Sequence, residues 1–391
     1  MKKIVSLLVC AVIALFLISS MSIVSVGANA SSPSRSSESN QYFFMPWICQ
    51  FCGSQANYTS ALKEYHNVFT AVSYEQYYLN PSNYSFSKFG LQSPRTLAEQ
   101  YGLPVYPMVV SGDPAAMHVL FTNSNVQKKF ISAAVANGTS KGYAGYNMDF
   151  EVPYYSDSAN VTRFVNNFSV ALEAAGMKLT LDVIGIYHFS PNAYGAAYNF
   201  SALGKTKVSL IMVEDYYSIG LFEKAVSFAS ARIPDSKLSI ALPSYSYAFY
   251  VNASSPLHFP YNIISPYVNF SYSGMYGALH SILTTARKLH ASVTKHWGSF
   301  YGEPYYKIIY GSSPKIGNEF YYINGKAMSL RLDYLQSHGI KKIEMWRLGS
   351  VDHNIWGPLY SFKQFATNAG IATQVLMIAT DVWKETVGIP A

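Results

Sequence analysis

The sequence predicts an α/β fold, a (β/α)8 TIM barrel with a small α+β insertion between strands 7 and 8. Eight short runs rich in Val, Ile, Tyr and Phe recur along the chain, and amphipathic stretches separate them. Several runs are continuously apolar, which is typical of parallel strands that are buried on both faces. Eight alternating strand and helix units favour a closed barrel over an open sheet.

The eight apolar runs give the predicted strands in chain order. They are Tyr42–Ile48, Val68–Ser73, Val105–Ser111, Tyr143–Glu151, Leu179–Ile184, Val208–Asp215, Leu238–Tyr245 and Ile340–Leu348.

Three stretches between these runs have apolar residues at helical spacing, and each is followed by a glycine that is expected to end the helix. The glycines are Gly138, Gly176 and Gly339. The apolar faces are Val126, Phe130, Ala134 and Val135; Val161, Phe164, Val165, Phe168 and Leu172; and Leu330, Tyr334 and Leu335.

The connection between the seventh and eighth strands is much longer than one helix requires, at about 90 residues. It contains two runs typical of a hairpin, Tyr305–Tyr310 and Phe320–Ile323, around a turn region at 311–317. We therefore expect an insertion at about 246–330 within a catalytic barrel that covers 41–370. Because active sites of these barrels lie at the carboxyl ends of the strands, this insertion is expected to wall the cleft.

The N-terminus predicts export. Lys2 and Lys3 precede an almost unbroken apolar run to Val26, and Ala28-Asn29-Ala30 is typical of a cleavage site. We expect a signal peptide at 1–30, a flexible leader at 31–40 and a C-terminal tail at 371–391, and hence a secreted protein with no stable membrane span after cleavage. An uncleaved apolar segment would instead anchor the protein at the cell surface.

Composition argues against nucleic acid as a partner and is compatible with a sugar. Of the formal charge of +7, two charges belong to the predicted signal peptide, and no basic run indicates nucleic acid. The 33 tyrosines suit stacking on sugars or a weakly charged surface, since only 13% of residues are charged. Eight Asn-x-Ser/Thr sequons favour a glycoprotein. They begin at Asn57, Asn83, Asn137, Asn160, Asn167, Asn199, Asn252 and Asn269.

Cysteine and histidine usage gives no cofactor or metal site. Cys49 and Cys52 form a Cys-Gln-Phe-Cys motif without a second pair at zinc spacing. A small disulfide loop and two buried thiols both fit this motif.

The fourth predicted strand carries the sharpest chemical signal, Gly145-Tyr146-Asn147-Met148-Asp149-Phe150-Glu151. Side chains alternate along a strand, so Asn147, Asp149 and Glu151 share the face that projects into the barrel mouth. Two acids this close together are costly unless one carboxyl holds a proton. Enzymes use such pairs to keep one carboxylic acid ready for proton donation, whereas the structural alternative is a pair that caps a helix or binds Arg or Lys.

This motif resembles the signature of glycoside hydrolase family 18, which contains chitinases and chitobiases. The family pattern is Asp-Gly-x-Asp-x-Asp-x-Glu, and the chain has Ala144 and Asn147 at the first two acidic positions. A chitobiase-like branch also has Asn at the second of these positions. The loss of the first Asp is expected to alter pH dependence more than to abolish activity.

The resemblance extends over about Tyr42 to Phe365 in family order. It includes Leu179–Val183, Leu238–Tyr245 with its Pro-x-Tyr, Phe320–Tyr322 followed by Ser329, and Gly339–Trp346. The sixth strand departs from the pattern, because Glu214 stands where the family has a Tyr in Met-x-Tyr-Asp.

The resemblance implies a retaining, substrate-assisted glycosidase that acts on β-linked N-acetylglucosamine without a cofactor or metal. Glu151 would be the general acid and base, and Asp149 would orient the acetamido group. The residues expected to bind the N-acetylated oligo- or polysaccharide are Asn147, Glu214, Asp215, Tyr216, Tyr245 and Trp346. Tyr216 or a protonated Glu214 would make the contact of the missing Tyr.

Two other classes of function remain open from the sequence. One is a carbohydrate-binding, lectin-like protein that has lost catalysis on the same barrel, although Glu151 is present. The other is a structural protein at the cell surface, held by an uncleaved N-terminal segment.

Overall fold

The computed structural model describes most of the region predicted to form the barrel. It covers residues 41–50, 55–89, 94–186, 195–214, 218–244, 246–250, 264–265, 268–269, 283–309, 317–349 and 351–368. The predicted signal peptide, leader and C-terminal tail lie outside these ranges. No helix within them is long and apolar enough to cross a membrane.

Eight parallel strands close into a barrel, which confirms the predicted fold class. The first strand pairs with both the second and the last, so the sheet has no open edge along this ring. In ring order the strands are β1 (Phe43–Ile48), β2 (Val72–Leu79), β4 (Val105–Ser111), β5 (Gly145–Phe150), β6 (Lys178–Ile184), β7 (Leu210–Glu214), β8 (Leu238–Pro243) and β15 (Lys342–Trp346). The short strand β3 (Phe86–Lys88) pairs antiparallel with β2.

Helices lie between the barrel strands. They are α1 (Gln55–Tyr65), α2 (Arg95–Gln100), α3 (Pro114–Thr122), α4 (Ser124–Lys141), α5 (Ser158–Ala174), α6 (Phe200–Leu203), α7 (Ile219–Ser230), α8 (283–288), α9 (Gly325–Ser337) and α10 (356–368). The predicted apolar face of α5 is buried, and Gly176 ends it with φ 74°. This positive φ is why a glycine follows the helix.

The core has two layers because each strand alternates its side chains. One layer lies between the strands and the helices and contains most of the buried apolar residues. The other fills the barrel interior and is smaller. It comprises Met45, Trp47, Ala71, Tyr106, Met108, Leu210, Met212 and Ala241.

A second, antiparallel sheet lies in the chain between β8 and β15. Its order is β12, β13, β14, β9. These strands are β9 (Ser246–Tyr250), β12 (Ser292–Gly298), β13 (Glu303–Ile309) and β14 (Gly317–Tyr322), and a two-stranded pair, β10 (Ile264–Ser265) and β11 (Val268–Asn269), precedes β12. Arg331 of α9 donates to Glu303 of β13 at 2.6 Å, and both side chains are buried. This ion pair joins the small sheet to a barrel helix.

Two sequence predictions were wrong in their boundaries. The second strand was expected at Val68–Ser73, but Val68 lies in a 3-10 turn and the strand runs over Val72–Leu79. A bulge between Glu75 and Tyr77 shifts the alternation of inward and outward side chains, so the two-residue period of a strand is not visible in the sequence. The fourth helix was expected to end near Gly138; it continues to Lys141, and Gly142 follows with φ 66°.

Candidate active site

Asp149 and Glu151 lie at the carboxyl end of β5, the fourth strand of the barrel. Asp149 is the penultimate residue of this strand and is in register with Val110 of β4 and Asp182 of β6. Glu151 follows the last strand residue, and its side chain is exposed to solvent. The exposed carboxyl of Glu151 is therefore accessible for proton exchange with a bound molecule.

The backbone that carries Glu151 is held from two sides. The Glu151 amide donates to the Ser111 carbonyl at the end of β4, at 2.9 Å. The buried hydroxyl of Tyr198, from the segment after β6, donates to the Phe150 carbonyl. Val152 then turns the chain with φ 51°, a conformation that is strained for a β-branched residue. These contacts fix the direction in which Glu151 leaves the strand.

The segment after Glu151 is tied to a neighbouring helix. The Nδ1 atom of His118, on α3, lies 2.8 Å from Oδ2 of Asp157, whose side chain is buried. This pair closes the loop between Glu151 and α5.

Asn147 belongs to a buried polar network. Its Nδ2 donates to Asp182 at 2.8 Å, and the Thr180 hydroxyl donates to its Oδ1 at 2.8 Å. The Asn147 side chain is fully buried. The sequence placed it among sugar-binding residues; in the structure it holds Asp182, the residue of β6 in register with Asp149.

Burial raises the pKa of Asp149 well above its usual range, and the neighbouring carboxyls of Glu151 and Glu75 raise it further. Desolvation and like charges both disfavour the ionised carboxylate. The raised pKa of Asp149 favours the protonated carboxyl, and this is how the site accommodates two adjacent acids.

Glu75 on β2 was missed by the sequence analysis. Burial raises the pKa of Glu75 to about 7, against the lowering effects of the Gln50 backbone amide and of Arg347. The signal was an acid within the apolar, aromatic run Val72–Leu79, but the predicted second strand ended at Ser73. Arg347 was missed because it lay within the predicted strand Ile340–Leu348 and had no pattern of its own.

Trp346 ends the last barrel strand, β15, and is half-buried. Its ring packs edge-to-face on Trp47 of β1, with centroids 6.0 Å apart. The Trp346–Arg347 peptide bond is cis. The Ser244 hydroxyl accepts from the Arg347 amide at 2.6 Å and donates to the Arg347 carbonyl at 2.8 Å, while the Ser244 amide donates to the Trp346 carbonyl at 2.8 Å. Ser244 therefore holds the backbone that positions this ring.

The remaining predicted residues are only partly described. Glu214 is the last residue of β7, and nothing is described of its side chain. Asp215, Tyr216, Tyr245 and Cys52 lie outside the described residues. Cys49, for which the sequence left both a disulfide loop and a buried thiol open, is disulfide-bonded. Within the described ranges, no group of His, Cys, Asp and Glu side chains could hold a metal ion.

No family model matches the chain. No curated protein matches its sequence. Solved structures do match its fold. A class V chitinase from Pseudomonas fluorescens Pf-5 has a TM-score of 0.67 and 18% identity over 82% of this chain and 99% of its own. The class V chitinase from Nicotiana tobaccum has a TM-score of 0.64 and 17% identity over 83% of this chain and 99% of its own.

The spore cortex-lytic enzyme SleL from Bacillus megaterium QM B1551 gives a TM-score of 0.68 with 13% identity, over 86% of this chain and 79% of its own. Identities this low show a shared fold. The chain thus has the (β/α)8 fold of these chitinases, with Asp149 and Glu151 at the end of β5.

Proposed function

We propose that the protein is an exported glycosidase that cleaves β-linked N-acetylglucosamine glycans with retention of configuration, using Glu151 as general acid and base. The observation that carries this proposal is the pair Asp149 and Glu151 at the carboxyl end of a barrel strand. Glu151 is exposed, and Asp149 is half-buried. Active sites of (β/α)8 barrels lie at this end.

The proposed reaction begins when Glu151 protonates the glycosidic oxygen. The carbonyl oxygen of the substrate's own acetamido group attacks the anomeric carbon and forms an oxazolinium ion. Asp149 orients the acetamido group and stabilises the positive charge that develops on it. Glu151 then takes a proton from water, which opens the oxazolinium and releases the product with the original configuration.

The raised pKa of Asp149 supports a substrate-assisted route over a covalent glycosyl-enzyme. In retaining enzymes with two carboxylates, the second is an ionised nucleophile. Burial and two neighbouring acids raise the pKa of Asp149. A carboxyl that holds its proton is a poor nucleophile, so the acetamido oxygen is the better candidate.

Trp346 supports a sugar as the ligand. Its ring is partly accessible at the end of β15 and is fixed from below by Trp47. Aromatic faces pack against the apolar face of a sugar ring, and N-acetylglucosamine adds a methyl group and an amide to this surface. Chitin-type oligomers, the chitobiose core of N-glycans and peptidoglycan-like polymers all present this unit.

The test of catalysis is hydrolysis of a chromogenic N-acetylglucosamine oligomer by the wild type and by Glu151→Gln. We expect a loss of at least about a hundredfold in kcat, the lower end for removal of general acid catalysis. Glu173→Gln, an exposed change of the same kind on α5, is the matched control and should retain activity. Equal activity in Glu151→Gln and the control would refute the role of Glu151.

The test of the route is a matched substrate without the 2-acetamido group. We expect no cleavage of it, because no nucleophile would remain on the substrate; cleavage at a comparable rate would rule the route out. If the wild type binds N-acetylglucosamine oligomers but does not turn them over between acid and neutral pH, the protein is a carbohydrate-binding protein instead.

Export is tested separately. N-terminal sequencing of protein collected from outside the producing cells should begin after Ala30. Material that begins at Met1 and stays with the membrane would show an uncleaved anchor.

A further inference from the structure

Glu75 lies at the same level of the barrel as Asn147, the position at which the β5 motif lacks its second acid. Glu75 of β2 is in register with Met108 of β4, and Met108 is in register with Asn147 of β5. The Met108 side chain lies in the barrel interior, and paired residues of parallel strands project to the same side of a sheet. Glu75 therefore lies at the level of Asn147 and two strands away from it. Asp149 is the next residue of β5 that projects into the interior after Asn147.

Asn147 cannot exchange a proton, and its amide is committed elsewhere. Both ends of its side chain are bonded, to Asp182 and to Thr180, and no solvent reaches it. Asp149 therefore has no titrating group on its own strand below it. The acids that raise its pKa are Glu151, two residues further along the chain, and Glu75, two strands away.

The Glu75 carboxyl is enclosed and incompletely bonded. Its Oε2 atom is buried and accepts no hydrogen bond from the part of the chain that the structure describes. The backbone around it is held, because Gln50 at the end of β1 donates through Nε2 to the Glu75 carbonyl at 2.7 Å. A buried carboxyl with an open oxygen is costly for stability alone, which indicates a role in the chemistry of the site.

We propose that Glu75 is a positioning residue of the active site, which takes over from the missing motif acid at Asn147 and keeps Asp149 protonated in the free enzyme. This inference rests on the proposed function for its catalytic meaning. Once Glu75 is ionised, its charge opposes a second charge on Asp149, so Asp149 ionises more readily when positive charge develops on the acetamido group. Arg347, from the turn after β15, balances the charge of Glu75.

The charged and titratable groups around Asp149 define the controls. Glu151 lies on the same strand, Asp182 on β6 is in register with Asp149, Glu75 lies on β2, and Arg347 follows β15. Two strand spacings separate Glu75 from β5, about 10 Å. A unit charge at that distance in a protein-like dielectric shifts an ionisation by about one pH unit.

The experiment is a pH titration of the Asp149 carboxyl by carbon-13 NMR in aspartate-labelled protein, with the resonance assigned by its loss in Asp149→Asn. In Glu75→Gln we expect ionisation of Asp149 to move to lower pH by about one unit. Glu75→Asp retains a charge and should titrate close to the wild type, and Glu173→Gln should not differ from it. This readout needs no turnover, so it separates the inference from the proposed glycosidase activity.

The rate profile is the second readout. One limb of the kcat/KM profile of Glu75→Gln should move to lower pH by the same amount, whereas a purely structural defect would lower the rate equally at every pH. An Asp149 titration that is the same in Glu75→Gln and the wild type would overturn the proposal. So would a shift produced by Asp182→Asn and not by Glu75→Gln, since it would assign the role to Asp182.

Discussion

Replacement of Ser244 by Ala tests how the fold holds the aromatic end of the site. The Ser244 hydroxyl makes two hydrogen bonds to the Arg347 backbone, at 2.6 and 2.8 Å, and Arg347 is 3% exposed. Alanine fits the same space but leaves the buried Arg347 amide and carbonyl without this partner. Leaving a buried polar group unsatisfied costs about 1–3 kcal/mol, so we expect a loss of about 2 kcal/mol in the free energy of unfolding.

The same change should also weaken substrate binding. The lost bonds flank the peptide that follows Trp346, so the indole ring becomes less fixed against Trp47. A well-placed aromatic contact is worth about 0.5–1.5 kcal/mol, which corresponds to a rise in KM of up to about tenfold. The chemical groups at Glu151 are untouched, so kcat should change less than KM.

Urea unfolding and steady-state hydrolysis together provide the assay. Ser337→Ala is the matched control, because it removes an exposed hydroxyl that donates to the Tyr334 carbonyl at 2.8 Å. Surface changes of this kind usually stay within about 0.5 kcal/mol. The reasoning is refuted if Ser244→Ala unfolds at the same urea concentration as the control and retains the wild-type KM.

Three further predictions concern buried charge and backbone strain. Arg331→Met leaves Glu303 as an uncompensated buried charge and should lower the free energy of unfolding in urea by about 3–5 kcal/mol. The double variant Arg331→Met with Glu303→Gln should recover most of this loss. An equal loss in the single and double variants would contradict the prediction. Burial raises the pKa of Glu344 to about 8. Between pH 4.5 and pH 8 the folded state therefore keeps a proton that the unfolded state has released, and the free energy of unfolding should fall as pH rises over this interval. Glu344→Gln should flatten that fall, measured as the unfolding midpoint at pH 5 and pH 8, and an unchanged slope would exclude Glu344 as its cause. Val152→Gly should raise the free energy of unfolding by roughly 1 kcal/mol, because it relieves the strain of φ 51°. The same change should lower kcat, because Glu151 loses its fixed direction. A lower free energy of unfolding would show that Val152 is not strained.

The strands that are continuously apolar were the ones that sequence alone could locate. Val105–Ser111 was predicted with the observed bounds, and the β5 motif was placed at the carboxyl end of its strand. Both faces of these strands are buried, so their pattern does not depend on knowing which face is the interior. The two acids of the β5 motif, Asp149 and Glu151, could be recognised in the sequence because charged residues are rare in a continuously apolar run.

Features set by tertiary contacts could not be predicted in this way. The polar interior of β2, with Ser73 and Glu75 facing the barrel, breaks the apolar pattern that marked the other strands. Gly138 looked like a helix stop, but it lies within α4, where a Cβ would come within 2.6 Å of the Met177 sulfur. Leu330 was expected on the apolar face of α9 and is 39% exposed, because Leu332 faces the core together with Leu335.

The configuration of the first product tests most directly whether Asp149 and Glu151 act together with the acetamido group of the substrate. Proton NMR during the first turnovers of an N-acetylglucosamine oligomer distinguishes the two anomers of the newly formed reducing end before they interconvert. We predict that the β anomer appears first, because two successive displacements at the anomeric carbon restore the original configuration. Initial release of the α anomer would show a single displacement by water, and the proposed roles of Asp149 and Glu151 would then be wrong.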